Sequence, residues 1–180
     1  SMVIVDSVAA LCKRSGALLL AEATSQQRFW AETCALGAFD AIWKTEVGRS
    51  RGRPDFVLQL GATPVSKGWE LLSAEHSIHR VVVHPWEWAD PSSNAEAIVQ
   101  ADIGSFVSAL STVRFHQDRR DARFAKWFRD AERSAWHVVA DILDYLQGRV
   151  TACVKAGIAR ERILLDPGFG FGKTLEHNLD

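Results

Sequence analysis

The stretch from Asp55 to Pro85 constrains this chain more than any other. It opens with Asp55-Phe-Val-Leu-Gln-Leu-Gly61 and closes with Arg80-Val-Val-Val-His-Pro85, two short apolar runs bounded by glycine, proline or polar residues. Such runs read as strands covered on both faces. Between them Val65, Trp69 and Leu72 recur at helical spacing, and Pro64 stands where a missing N–H costs nothing. Strand, glycine turn, helix, strand is a βαβ unit. The expected fold class is therefore α/β, a Rossmann-like parallel sheet flanked by helices. Ligands in such sheets sit beyond the carboxyl ends of the strands, which puts the turn from Gly61 to Lys67 on the face where a site belongs.

The flanking segments extend this frame. Val3 to Arg14 carries one apolar helical face and Gly16 stands at its C-cap. Leu18 to Ala21 and Ala97 to Gln100 read as short strands, joining Phe56 and Val81 in one predicted parallel sheet. Glu22 to Gly37 is polar and longer than most connections, a length common in binding loops. Ala38 to Lys44 reads as a short helix, Gly48 to Pro54 as a basic turn, and Ile103 to Val113 as a helix capped by Asp102. From Asp118 onward a three-four apolar spacing runs through Phe124, Phe128, Ala135, Ile142 and Leu146. It predicts one long helix or two abutting helices with Gly148 as the break, ending at Lys155-Ala-Gly157-Ile158. Arg162 to Asp166 then reads as a strand and Pro167 to Thr174 as a glycine loop, giving a C-terminal strand-loop appended to the sheet. The domain reading is 3–116, 117–157 and 158–180.

Charge and cysteine usage exclude several partner classes. A net charge of -1 offers no footprint for nucleic acid or an anionic membrane. Cys12, Cys34 and Cys153 are too scattered for a metal knuckle or a disulfide framework, and no apolar run is long enough to span a bilayer. A reducing cytoplasm is the expected location, with Ser1-Met2 resembling a tag scar before a start codon.

Several local features admit two readings. The arginines of Gly48 to Pro54 could meet a phosphate or simply be solvated, and Trp86 and Trp88 could wall a ligand or pack over the sheet rim. His76 and His79 with Glu75 are close enough in sequence for a metal, but they straddle a helix end and a strand start, and surface residues are the expected reading. No metal site is expected. Gly168 to Thr174 follows a strand as a phosphate-cradling loop does, yet it is one residue short of a Walker A loop and fails the Gly-x-Gly-x-x-Gly pattern.

Two longer patterns resemble known families. Gly157-Ile158 and Arg162-Ile-Leu-Leu-Asp166-Pro-Gly-Phe-Gly-Phe-Gly-Lys-Thr-Leu-Glu-His-Asn178-Leu resemble dihydropteroate synthase, the TIM-barrel enzyme of folate biosynthesis, over roughly the last forty residues. The resemblance implies that Asp166 hydrogen-bonds a pterin ring, a role suited to a carboxylate facing ring and amino N–H donors. The other motifs of that family, for pterin and pyrophosphate, are missing.

Leu18-Leu-Leu-Ala-Glu-Ala-Thr-Ser25-Gln, Leu58-Gln-Leu-Gly61-Ala-Thr-Pro-Val-Ser-Lys67 and Val81-Val-Val-His-Pro with Asp90-Pro91 resemble the central domain of another enzyme. That family is 2-succinyl-5-enolpyruvyl-6-hydroxy-3-cyclohexene-1-carboxylate synthase, which belongs to menaquinone biosynthesis and uses thiamine diphosphate. The resemblance implies that Lys67 lies near substrate carboxylates, against the plainer reading of a solvated first-turn lysine. The activating glutamate and the Gly-Asp-Gly metal motif of the cofactor domains are absent, so no cofactor is expected on this chain alone. Thiamine diphosphate and magnesium are implied only for the complete enzyme.

Both resemblances point to the transferase class, and neither brings a complete catalytic set. No catalytic residue is assigned, and Lys67 and Asp166 are the candidate substrate-binding residues. The expected function is a catalytically incomplete α/β domain of a thiamine-diphosphate synthase joined to a pterin-loop fragment, a chimera without activity alone. Two alternatives stay open: a pterin-binding transferase completed by homo-oligomerisation, and a non-catalytic scaffold subunit. The ligand expected is a pterin or a small carboxylate.

Overall fold

The computed structural model describes residues 2–29, 35–75, 77–115 and 122–166. It forms two compact units, Ser1–Glu132 and Arg133–Asp180. In the first unit a parallel sheet of β3 (Phe56–Leu60), β4 (His79–His84) and β5 (Ala97–Gln100) runs in the order β3-β4-β5. Leu58 registers with Val81, and Val82 with Ile98. Parallel strands need crossovers, and α4 (Lys67–Glu75) supplies the first. The second, from Pro85 to Glu96, contains no helix and crosses as a loop.

Side-chain alternation divides the core. Leu58 and Leu60 meet the cluster of Val8, Leu11, Cys12 and Val107, built from α1 (Met2–Ser15) and α5 (Ile103–Ala109). Val57 faces the other cluster, where α2 (Phe39–Lys44), α4 and the start of α6 (Ala122–Lys155) contribute Phe39, Trp43, Trp69, Leu72 and Phe128. Trp43 is the hub of that layer. Its ring centroid lies 5.4 Å from Phe39, 6.0 Å from Trp69 and 5.8 Å from Phe128, and its Nε1–H donates to Gly52 O at 2.9 Å. Edge-on aromatic packing with a satisfied indole is how a large ring is buried without an orphan donor.

The α/β class and the strands at Phe56, Val81 and Ile98 are as the sequence indicates. The first strand differs. β1 (Leu19–Leu20) pairs in parallel with β2 (Ala35–Leu36) and with no other strand among the described residues. Leu19 still faces one cluster while Leu18 and Leu20 face the other, so β1 spans the same two layers without joining the β3 ladder.

Three further expectations change. The basic turn is a helix, α3 (Glu46–Arg51), because Thr45 caps it: its Oγ1 accepts from Gly48 N at 2.9 Å. Val65 lies outside α4 because Ser66 is the cap, its Oγ accepting from Trp69 N at 3.2 Å. Trp86 and Trp88, expected over the sheet rim, are 84% and 75% exposed.

Helix α6 runs for 34 residues, with Gly148 inside it. A glycine costs about 1 kcal/mol against alanine in a helix, too little to break one flanked by strong helix formers. The helix ends as expected, with Ile158 N donating to Cys153 O at 3.1 Å around Gly157, whose φ is +89°. The strand expected at Arg162 to Asp166 is absent. Arg160–Arg162 forms a 3-10 turn; Ile163 is extended, its N–H donating back to Arg160 O at 3.2 Å, it joins no strand among the described residues, and Leu164 is 93% exposed. A lone strand of this length has nothing to hold it. The glycine loop from Pro167 lies outside the described residues.

Candidate functional site at the carboxyl edge of the sheet

The carboxyl ends of β3, β4 and β5 and the turns beyond them form the edge where α/β sheets bind ligands. Gly61 ends β3 at φ +95°, a conformation that disfavours a side chain, and its N–H donates to Val83 O at 2.9 Å. The chain then runs to Ser66, whose N–H donates to Glu22 Oε1 at 3.3 Å. Thr63 Oγ1 donates to Ala89 O at 3.1 Å, tying the turn after β3 to the loop after β4. His84 closes β4. Its Nδ1 accepts from the Trp86 and Glu87 amides at 3.3 and 3.1 Å, which fixes the tautomer with the proton on Nε2.

Lys67 stands at this edge as the first residue of α4. Its side chain is 57% exposed and its Nζ is 2.7 Å from Glu70 Oε1, one helical turn on. An exposed pair of this kind contributes at most about 1 kcal/mol and can open toward a competing carboxylate. Asp166 lies in the second unit, exposed, as the last described residue after the 3-10 turn. The two candidates thus belong to different units.

Two carboxylates near this edge titrate low. Burial raises the Asp40 pKa, but hydrogen bonds from Lys44 and the Gly68 amide, with the Lys44 charge, outweigh it and hold the group below its ordinary value. Asp102 is lowered by the amide and then the hydroxyl of Ser105, as the cap of α5.

His79 Nδ1 lies 3.0 Å from Glu96, Glu75 pairs with Arg49 at 2.7 Å, and His76 lies outside the described residues. Among the described residues no three His, Cys, Asp or Glu side chains stand close enough to hold a metal ion. No helix among them is long and apolar enough to cross a membrane.

Sequence reasoning missed the buried network that runs across the sheet face from Arg80 toward the Gly61 turn. Arg80 is 4% exposed; its Nη1 donates to Gln59 Oε1 at 2.7 Å, and its Nη2 donates to Asp90 and Asn94. Asp90 is 3% exposed and also accepts from Ala95 N at 2.8 Å. The signal was available: an arginine inside a run of buried valines requires a carboxylate, because an unpaired buried charge is prohibitively costly. Arg80 and Trp69 line a cleft of about 280 Å³ near the amino end of β4, together with Ser73, Glu75, Ser77 and Asn94. The pair anchors the loop that takes the place of a crossover helix, a structural task.

Comparison with known proteins supports both resemblances. Residues 111–180 match the family model described as pterin binding enzyme. The chain is 38% identical over 109 residues to the 2-succinyl-5-enolpyruvyl-6-hydroxy-3-cyclohexene-1-carboxylate synthase of Sorangium cellulosum, covering 58% of this chain and 18% of that protein. Its identity to the same synthase of Geobacillus thermodenitrificans is 32% over 152 residues, 81% of this chain and 26% of that protein. It is 57% identical over 42 residues to the dihydropteroate synthase of Neisseria meningitidis serogroup C, 23% of this chain and 15% of that protein. The chain therefore spans 15–26% of these relatives' lengths. An alignment covering 81% of 180 residues must run past residue 111, so the two similarities overlap.

Proposed function

We propose that this chain is a catalytically incomplete α/β domain of a thiamine-diphosphate synthase of menaquinone biosynthesis, joined to the pterin-loop segment of a dihydropteroate synthase. It turns over neither family's substrates by itself. One observation carries this reading: two unrelated enzyme similarities meet in one chain, and each accounts for about a quarter or less of its relative. Catalysis needs every reacting group held in one geometry, and a quarter of an enzyme does not hold them.

No thiamine diphosphate is expected on this chain alone, a reading supported by the absence of the Gly-Asp-Gly motif from the sequence. What the carboxyl edge can offer is one ammonium, Lys67, beside the Gly61 turn, suited to a small carboxylate. The scattered cysteines fit a reducing cytoplasm.

Titration calorimetry with 2-oxoglutarate, thiamine diphosphate and a dihydropterin pyrophosphate, each followed by a turnover assay, tests the proposal. The expected result is no product from any of them. Dihydropteroate or the cyclohexene carboxylate formed at enzyme-like rates would overturn it. A second reading, a pterin-binding transferase completed by association, is favoured by the match of residues 111–180 to the pterin binding enzyme family model. It requires pterin binding that strengthens with protein concentration.

A further inference from the structure

The cleft beside Arg80 has no part in the reading of the carboxyl edge. It lies between the last turn of α4, the start of β4 and the loop after β4, with a volume of about 280 Å³. Small-ligand pockets begin at about 300 Å³, so the space suits a single flat ring. Trp69 and Ile78 give it an apolar wall. Arg80, 4% exposed, lines it with the guanidinium 6.0 Å from the Trp69 ring centroid.

Both charges in the lining are paired. Asp90 accepts from Arg80, and Glu75 accepts from Arg49 at 2.7 Å. What the cleft still offers is hydrogen-bonding capacity. Arg80 donates to Asn94 Oδ1, which fixes the amide's orientation and leaves its NH2 group without a partner among the described residues. Glu75 has one oxygen in the Arg49 pair and a second with no partner among them. The Ser77 hydroxyl has none either, while its carbonyl accepts from Arg53 at 2.9 Å. Ser93, next to Asn94, adopts φ +48°, a left-handed conformation uncommon outside glycine.

We propose that this cleft binds a flat, uncharged heterocycle with an amino group beside a ring acceptor, the edge of a nucleobase such as cytosine. The amino group donates to Glu75, the neighbouring ring acceptor takes the Asn94 NH2, and the ring lies along Trp69 and Ile78. An aromatic acid of the same size is disfavoured, because its carboxylate would meet the Glu75 oxygen with no unpaired cation in the lining to offset it. Glu75 is the last residue of α4 and Lys67 the first, so this site stands or falls apart from the carboxyl edge.

Titration of the full chain with cytosine, followed through its amide nitrogen shifts, tests the proposal. Saturable shifts at Trp69, Ser77 and Asn94 are expected, with a dissociation constant of about 1 mM, a strength open to a ligand of about eight heavy atoms. Benzoate, and cytosine dimethylated on its amino nitrogen, should each bind about ten-fold more weakly. Asn94→Asp keeps an acceptor for Arg80 but removes the donor, and should weaken cytosine about ten-fold at an unchanged urea midpoint. The three ligands are compared on the native chain, so the outcome does not depend on how that variant folds. No saturation up to about 20 mM, equal binding of the dimethyl compound or of benzoate, or shifts confined to residues outside the cleft would each overturn the proposal.

Discussion

Gly68 donates its amide N–H to the Asp40 carboxylate at 2.7 Å, and α2 meets α4 there because Gly68 has no side chain. A Cβ at that position would stand 2.5 Å from Asp40 O and 2.9 Å from Trp43 Cβ. Neither neighbour can yield cheaply, since one is backbone and the other is the stem of the core's hub. Gly68→Ala is expected to destabilise the fold by about 2–3 kcal/mol, read as a lower urea midpoint at unchanged slope. An unchanged midpoint would show that the helices part easily.

The same carboxylate makes stability depend on pH. Its folded pKa is depressed, so its contribution is present above the unfolded value and lost as pH falls through the folded one. The urea midpoint of the native chain should exceed that of Asp40→Asn at pH 7. The gap should start to narrow as pH falls past about 4, where the unfolded carboxylate protonates, and close only below the folded pKa, where both states are protonated. A gap that persists at pH 2 would assign the effect to shape instead of charge.

Breaking the Arg80–Asp90 pair from one side leaves a buried charge. Asp90→Ala is expected to cost about 3–5 kcal/mol, while a double exchange, Arg80→Met with Asp90→Leu, should cost much less. Denaturation of the three chains gives the comparison. Equal losses for single and double variants would mean that the network is valued for its hydrogen bonds to Gln59 and Asn94.

Glu132 does the work of a cap from far along the sequence. Its carboxylate is 8% exposed and accepts from Gly37 N at 2.7 Å and Ala38 N at 2.9 Å, ahead of α2. Glu132→Ala strands those donors and should cost about 1–3 kcal/mol, with faster amide exchange at both residues. Unchanged exchange at Gly37 and Ala38 would remove Glu132 from that role.

What could be read in advance follows from how local each cause is. β3 and β4 announce themselves because a strand covered on both faces must be apolar throughout, and Phe56 to Leu60 and Arg80 to Val83 largely are. Asp102 was legible as a cap because its partner, Ser105, is three residues away. β2 was not, since two residues in a polar stretch acquire meaning only when β1 lies beside them. Glu132 and Glu22 are invisible for the same reason, their partners lying 94 and 44 residues off. Ile163 to Leu165 failed in the other direction: the apolar run is there, but among the described residues no strand lies alongside it. At the candidate site, the sequence placed Lys67 at the turn beyond β3 but could not show its pairing with Glu70.

The placement of the indoles divides the chain's emission into two kinds of light. Trp43 and Trp69, at 2% and 7% exposure, sit among rings and aliphatic chains and should emit to the blue, beyond the reach of iodide. Trp86 and Trp88 project from the loop after β4, emit to the red, and are open to any quencher in solution. Trp136, 47% exposed on α6, adds to the red emission. A ligand or protein that settles on the carboxyl edge would shield Trp86 and Trp88 and leave the blue emission unchanged, whereas melting of the fold would expose the blue population. Fluorescence without any added dye can therefore distinguish occupancy of that edge from unfolding.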